Sequence, residues 1–162
     1  MNALLSPAKS QHQPSKLGSP DDILQQAERI IEQRFSQRQI FSTSHETRQY
    51  VIFKLALLEH EVFSILLLDN QHRLLGYEQL FRGSLREVSV YPREVVKLSL
   101  RYNAAALILV HNHPSGDTEP STADCHITQR LKAALDLIDV RVLDHVIVAG
   151  NQTTSLAERG LL

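Results

Sequence analysis

Apolar residues along this chain fall first into helical stripes and then into short unbroken runs. Leu24, Ala27, Ile31 and Phe35 recur at helical spacing, with Ile23 and Ile30 beside them, and predict an amphipathic helix. Ser19 supplies a cap, Pro20 suits the first helical position, and Asp22 follows three after the cap. A second helix is expected from near Thr43, with Glu46 as capping-box partner and Val51, Leu55 and Leu58 on its buried stripe. The pattern then changes. Val62–Asp69 (VFSILLLD) is short, continuous and apolar, as expected of a buried strand. Asp69–His72 reads as a turn, Arg73–Phe81 as a returning strand ended by Gly83, and Ser84–Tyr91 as a further short strand. Pro92 opens a helix through about Arg101, and Ala104–Val110 is a buried strand that runs straight into His111. A loop rich in Pro, Gly and Asp occupies residues 114–120, and a helix follows from Ser121 to about Leu137. Val140–Val148 is expected as the last strand, with a turn at Gly150-Asn151. The sum is an α/β chain with a mixed central β-sheet flanked by helices.

Composition narrows the classes. The chain has 162 residues, enough for one folded unit with a real core plus a short extension. Residues 1–18 are polar and carry Pro7, Pro14 and Gly18; they read as a disordered leader, with residues 19–40 as an N-terminal helical extension. The formal net charge of -1 offers no general attraction to nucleic acid or anionic membranes. Cys125 is the single cysteine, which excludes an internal disulfide and any zinc site built on several thiolates. No apolar run nears the roughly 20 residues of a membrane span, and the start is a poor signal peptide. A cytoplasmic protein is expected.

The candidate chemistry lies in HNHPSGDTEPSTAD, residues 111–124. His111 and His113 stand two apart on a chain arriving as a strand, so their side chains leave on one side, about 7 Å apart along the backbone. Ser121 and Asp124 are three apart in the first turn of a helix and also share a side. The loop between is long enough to fold the helix start back over the histidines. Two imidazole nitrogens and one carboxylate oxygen then leave a fourth place for water, the arrangement of a catalytic and not a structural zinc site. With one zinc ion per chain, the charge count leaves +1, which favours ionisation of that water. A nearby carboxylate is then needed to move the proton.

The spacing H-x-H, seven residues, S, two residues, D resembles the metal-binding signature of the JAMM (MPN/JAB) superfamily. The wording of residues 76–85, 91–97, 104–124 and 143–148 (GYEQLFRGSL, YPREVVK, AAALILVHNHPSGDTEPSTAD, LDHVIV) resembles one bacterial branch, the RadC-like proteins. The resemblance covers about residues 41–162 and implies a JAMM/MPN domain there, of cytidine-deaminase-like architecture. It implies zinc on His111, His113 and Asp124, Ser121 at the tetrahedral oxyanion, and a glutamate before an early buried strand as general base. That glutamate is Glu61, with Glu59 as the alternative two residues away. RadC-like proteins also carry an N-terminal helix-hairpin-helix module associated with DNA. Residues 1–40 lack its glycine-bearing hairpin, so the chain is similar to a short form without it.

Simpler readings stand beside these. S-x-x-D at a helix start is also a capping box. His145, after Asp144 in an apolar strand, reads as a core histidine or one that supports a ligand from behind. His12, His45, His60, His72 and His126 read as surface residues, and Cys125 as packing. Asp117 and Ser115 read as turn residues, while Asn112 fits a brace for the loop as well as a donor to substrate. Contiguous His111-Asn112-His113 is not an HNH nuclease motif, and one cysteine cannot supply the zinc-deaminase set. The function expected is a zinc metallopeptidase or isopeptidase acting on a protein or peptide. The alternatives are a non-catalytic binding module and a DNA-repair-associated factor, the latter disfavoured by the neutral charge.

Overall fold

The computed structural model describes residues 19–36, 43–83 and 90–162. The expected leader at residues 1–18, with His12, lies outside the described residues, as does most of the short strand expected at Ser84–Tyr91. Among the described residues nine elements follow one another: α1 (Pro20–Ser36), α2 (Ser44–Leu55), β1 (Val62–Leu68), β2 (Leu74–Arg82), α3 (Pro92–Arg101), β3 (Ala106–Asn112), α4 (Thr122–Asp136), β4 (Arg141–Ala149) and β5 (Gln152–Ser155). The expected helix starts are present. Ser19 and Asp22 exchange hydrogen bonds at the head of α1, and Thr43 Oγ1 accepts from Glu46 N at 3.3 Å at the head of α2.

The five strands form one mixed sheet in the order β2-β1-β3-β4-β5. β1 pairs antiparallel with β2 and β3, β3 runs parallel to β4, and β5 returns antiparallel to β4. A parallel neighbour requires a crossover, and α4 is that crossover. Helices lie on both faces. Tyr50, Val51 and Leu55 of α2, with Ile31 of α1, cover Val62, Leu66, Ile108, Val110, Val146 and Val148. Val95 of α3 and Leu131 and Leu135 of α4 cover Phe63, Ile65, Leu67, Leu107, Leu109 and Val142 on the other face. Every residue of β1 and β3 is buried, which is why their sequences are continuously apolar and not alternating.

Two details differ from the sequence expectation. β3 extends through Asn112, so His111 sits inside the strand opposite Phe63. β4 is not the last strand: Gly150 and Asn151 turn the chain, and Gln152–Ser155 pairs back with Val146–Ala149. That segment, QTTS, is short and polar, and as an edge strand it shows no hydrophobic period to read.

β4 also carries an irregularity that decides the site. Leu107 pairs with Val142, but Ile108 pairs with Asp144, so one extra residue is inserted. Val142 and His145, an odd number of residues apart, thereby both face α4. The Asp144 carboxylate secures this turn of the strand. It accepts from His145 N at 2.7 Å, Ser155 Oγ at 2.7 Å and Ala157 N at 3.0 Å.

Asn112, left between two roles by the sequence, is a brace. Its buried Oδ1 accepts from Val62 N at 2.8 Å, and its Nδ2 donates to the carbonyls of Leu58 and His60 at 3.3 and 3.0 Å. One side chain thus ties the end of β3 to the chain that enters β1. Asn112→Ala leaves those backbone groups without a partner and should cost about 2–4 kcal/mol. Chemical denaturation measures this; a loss under about 0.5 kcal/mol, the range of an ordinary surface change, would contradict the brace.

Candidate metal centre

The end of β3 and the start of α4 bring His111, His113 and Asp124 together. His111 and Asp124 are fully buried, and His113 keeps 13% of its side chain open to solvent. His111 Nε2 lies 2.9 Å from His113 Nε2 and 3.2 Å from Asp124 Oδ1; His113 Nε2 lies 3.7 Å from Asp124 Oδ2. The strand pleat sets both imidazoles on the α4 side, and the loop of residues 114–120 returns the head of α4 above them.

Asp124 is held by its own helix start. Ser121 is the N-cap, and the two residues form a full capping box. Asp124 Oδ2 accepts from Ser121 N at 2.8 Å and from Ser121 Oγ at 2.6 Å, while Asp124 N donates to Ser121 Oγ at 3.1 Å. The cap and the metal reading are therefore compatible, since the cap occupies only Oδ2. Asp124 Oδ1 is buried and accepts no hydrogen bond. A buried carboxylate oxygen without a donor is costly, and a cation beside it removes that cost.

His113 is fixed from the loop. Its Nδ1 lies 2.7 Å from the Asp117 carbonyl, which can only accept, so Nδ1 carries the proton and Nε2 is bare in the neutral ring. Asp117 also shapes the loop, its Oδ1 accepting from Glu119 N at 2.9 Å. A second tie comes from Arg159, which pairs with both carboxylate oxygens of Glu119 at 2.7 Å. Two imidazole nitrogens and a carboxylate oxygen are borderline donors of the type zinc accepts. Among the described residues this group of three is the one set of histidine, cysteine and acidic side chains that can hold a metal ion.

His145 does not join the group as a ligand: its Nε2 meets His111 Nδ1 at 2.8 Å and its Nδ1 meets Thr128 Oγ1 at 2.6 Å. Thr128 was missed by the sequence reading, although it stands four residues after Asp124 on the same helical face. Phe63 lies against both buried rings, with centroids 6.4 Å from His111 and 5.7 Å from His145. Glu61 precedes β1, and its carbonyl accepts from Gly83 N at 2.9 Å. The pairing of β1 with β3 ends at Phe63 and His111, and Glu61 lies two residues before Phe63, outside the strand. Glu59 lines a cleft of about 570 Å³ together with Leu55, Leu58, Asn112, His113 and Gly116. Of the candidate metal group, His113 alone lines that cleft. His45, His60 and His126 are exposed, His72 is half-buried in its turn, and Cys125 is a half-buried free thiol.

Comparison with known proteins identifies the family. The RadC-like JAB domain family matches residues 41–161. The chain belongs to that family. A UPF0758 protein of Vibrio cholerae is 56% identical over 140 residues, covering 86% of this chain and 88% of its own length. A second UPF0758 protein of the same organism is 49% identical, covering 98% of this chain and all of its own length. A UPF0758 protein of Leptothrix cholodnii is 54% identical over 149 residues, and this chain spans about two thirds, 67%, of its length. This RadC-like chain has, among its described residues, no helix long and apolar enough to cross a membrane.

Burial governs the protonation of the two inner rings. It pushes His111 down to about 4, against the pull of Asp124 and with help from His113. It pushes His145 well below 6.5, with His111 and His113 adding to the effect. Both folded values lie below the ordinary 6.5, so the unfolded chain binds more protons as pH falls beneath that value. Stability of the metal-free protein is thus complete above about pH 6.5 and declines from there towards pH 4. The urea midpoint measured with chelator should be lower at pH 5 than at pH 7.5; an unchanged or higher midpoint at pH 5 would contradict the buried neutral pair.

Proposed function

We propose that this chain is a zinc-dependent hydrolase of amide bonds, a metallopeptidase or isopeptidase, with His111, His113 and Asp124 holding one zinc ion. The observation that carries this reading is the bare, buried Asp124 Oδ1 facing two imidazoles, one of them open to solvent. When bound, zinc supplies Lewis acidity and an ionised water near neutral pH. The amide substrate, a protein or peptide, rests on the family and not on the donor set alone.

Glu61 is the general base in this reading. Its carboxylate takes a proton from the attacking water and returns it to the leaving nitrogen, so that acid and amine products form without net proton transfer to the protein. Glu61 is chosen over Glu59 on the family resemblance, since it is the residue immediately before the early buried strand that begins at Val62. Ser121 donates its hydroxyl to the oxyanion. Releasing Asp124 Oδ2 for that purpose still leaves this oxygen the Ser121 N–H. The lone cysteine suits the reducing cytoplasm as its compartment.

Elemental analysis should find close to one zinc per chain, and His113→Ala should lose it. In a peptide and isopeptide cleavage screen, Glu61→Gln should keep the metal and lose turnover by about 100-fold or more. Ser121→Ala should lose about 100- to 1000-fold, and Glu59→Gln should remain active. Wild-type turnover by Glu61→Gln would remove the assigned base. A zinc-loaded chain that cleaves nothing in the screen would favour a binding role.

A further inference from the structure

The polar groups behind His111 form a line whose hydrogen-bond directions follow from a single starting point. Thr128 has one hydroxyl proton. Its Oγ1 lies 2.5 Å from the Asp124 carbonyl oxygen, which has no proton to give, so the hydroxyl donates there. The same Oγ1 lies 2.6 Å from His145 Nδ1. With its proton already engaged, Oγ1 can only accept, and His145 Nδ1 carries the hydrogen. His145 is fully buried, and its ring meets only Thr128, His111 and the edge of Phe63 among the described contacts. A neutral imidazole has one N–H, so His145 Nε2 is an acceptor. It faces His111 Nδ1 at 2.8 Å, and His111 Nδ1 is therefore the protonated nitrogen of its ring.

We propose that Thr128 and His145 are positioning residues: a three-step relay from the Asp124 carbonyl locks His111 with Nδ1 protonated and Nε2 bare. The relay joins two candidate ligands, His111 and Asp124, through groups that touch neither substrate nor metal. Its purpose rests on the metal-centre reading above; its geometry does not. Which imidazole nitrogen is free to bind a metal is set by the hydrogen bond of the other. His113 reaches the same state by a shorter route, through the Asp117 carbonyl. The two rings then present bare Nε2 atoms beside the bare Asp124 Oδ1.

The inserted residue in β4 gives His145 this role. Without it, the pleat would turn His145 to the α2 face. The Asp144 carboxylate holds the insertion, and Leu156 N donates to the His145 carbonyl at 2.9 Å. The ring is thus fixed from its own backbone as well as from Thr128.

Thr128→Val keeps the side-chain shape and removes the hydroxyl, so it isolates the relay from packing. The His145 Nδ1–H then has no acceptor, His145 is free to carry its hydrogen on Nε2, and His111 is free to reverse. Tautomers are read from ¹⁵N shifts of histidine-labelled, chelator-treated protein at pH 7.5, and zinc affinity from competition with a chromophoric chelator. Wild type and Thr128→Ser should show His111 protonated at Nδ1. Thr128→Val should show a mixed or reversed His111 and bind zinc about 10- to 100-fold more weakly, while Thr128→Ser binds as wild type does. Should Thr128→Val fail to fold, His145→Gln gives a second arm. Its carbonyl can accept from His111 and its amide can donate to Thr128, so the His111 tautomer should persist, whereas His145→Leu should lose it. The relay is overturned if Thr128→Val retains both the tautomer and the affinity, or if Thr128→Ser is weakened equally. A wild-type chain that takes up no zinc overturns the metal centre, and the tautomer measured without metal still decides the relay.

Discussion

A carboxylate buried beside two imidazoles is tolerable only when each of its oxygens, and each ring nitrogen, has a defined partner. This constraint organises the structure around Asp124. One carboxylate oxygen is satisfied by the helix cap of Ser121, one outer imidazole nitrogen by a loop carbonyl, and the other by His145. The atoms left over, Asp124 Oδ1 and the two Nε2 atoms, converge. The sheet and its covering helices are the means by which those partners arrive at one place.

Each layer contributes one part of that placement. The antiparallel pairing of β1 with β3 lays Phe63 along His111 and excludes water from the inner rings. The parallel step from β3 to β4 forces α4 to cross the sheet, and its first turn lands over the strand end. Asn112 points the other way along β3 and holds the entry to β1. Neighbouring residues of one strand thus serve chemistry on one face and architecture on the other, as a period of two requires.

Much of this was legible in the sequence because the signals are local. The helix starts at Ser19, Thr43 and Ser121 are short motifs whose geometry is set within four residues. The H-x-H pair and the S-x-x-D turn likewise fix their own facing, and the continuous apolar runs of β1 and β3 announce burial on two sides. What stayed hidden depends on distant partners. QTTS is a strand only because β4 is beside it. His145 faces α4 only because one residue is inserted in β4, and nothing in LDHVIV reveals that insertion. Asn112 could not be assigned until Val62, Leu58 and His60 were seen around it.

In the proposed site, His111, His113 and Asp124 hold zinc through two imidazole nitrogens and one carboxylate oxygen, with a place left for water. X-ray absorption at the zinc edge of the loaded protein tests this most directly. The expected spectrum is that of a four-coordinate ion with two imidazole nitrogens and two oxygens at about 2.0–2.1 Å. A spectrum without imidazole scattering, or one with a third imidazole or a sulfur ligand, would contradict it.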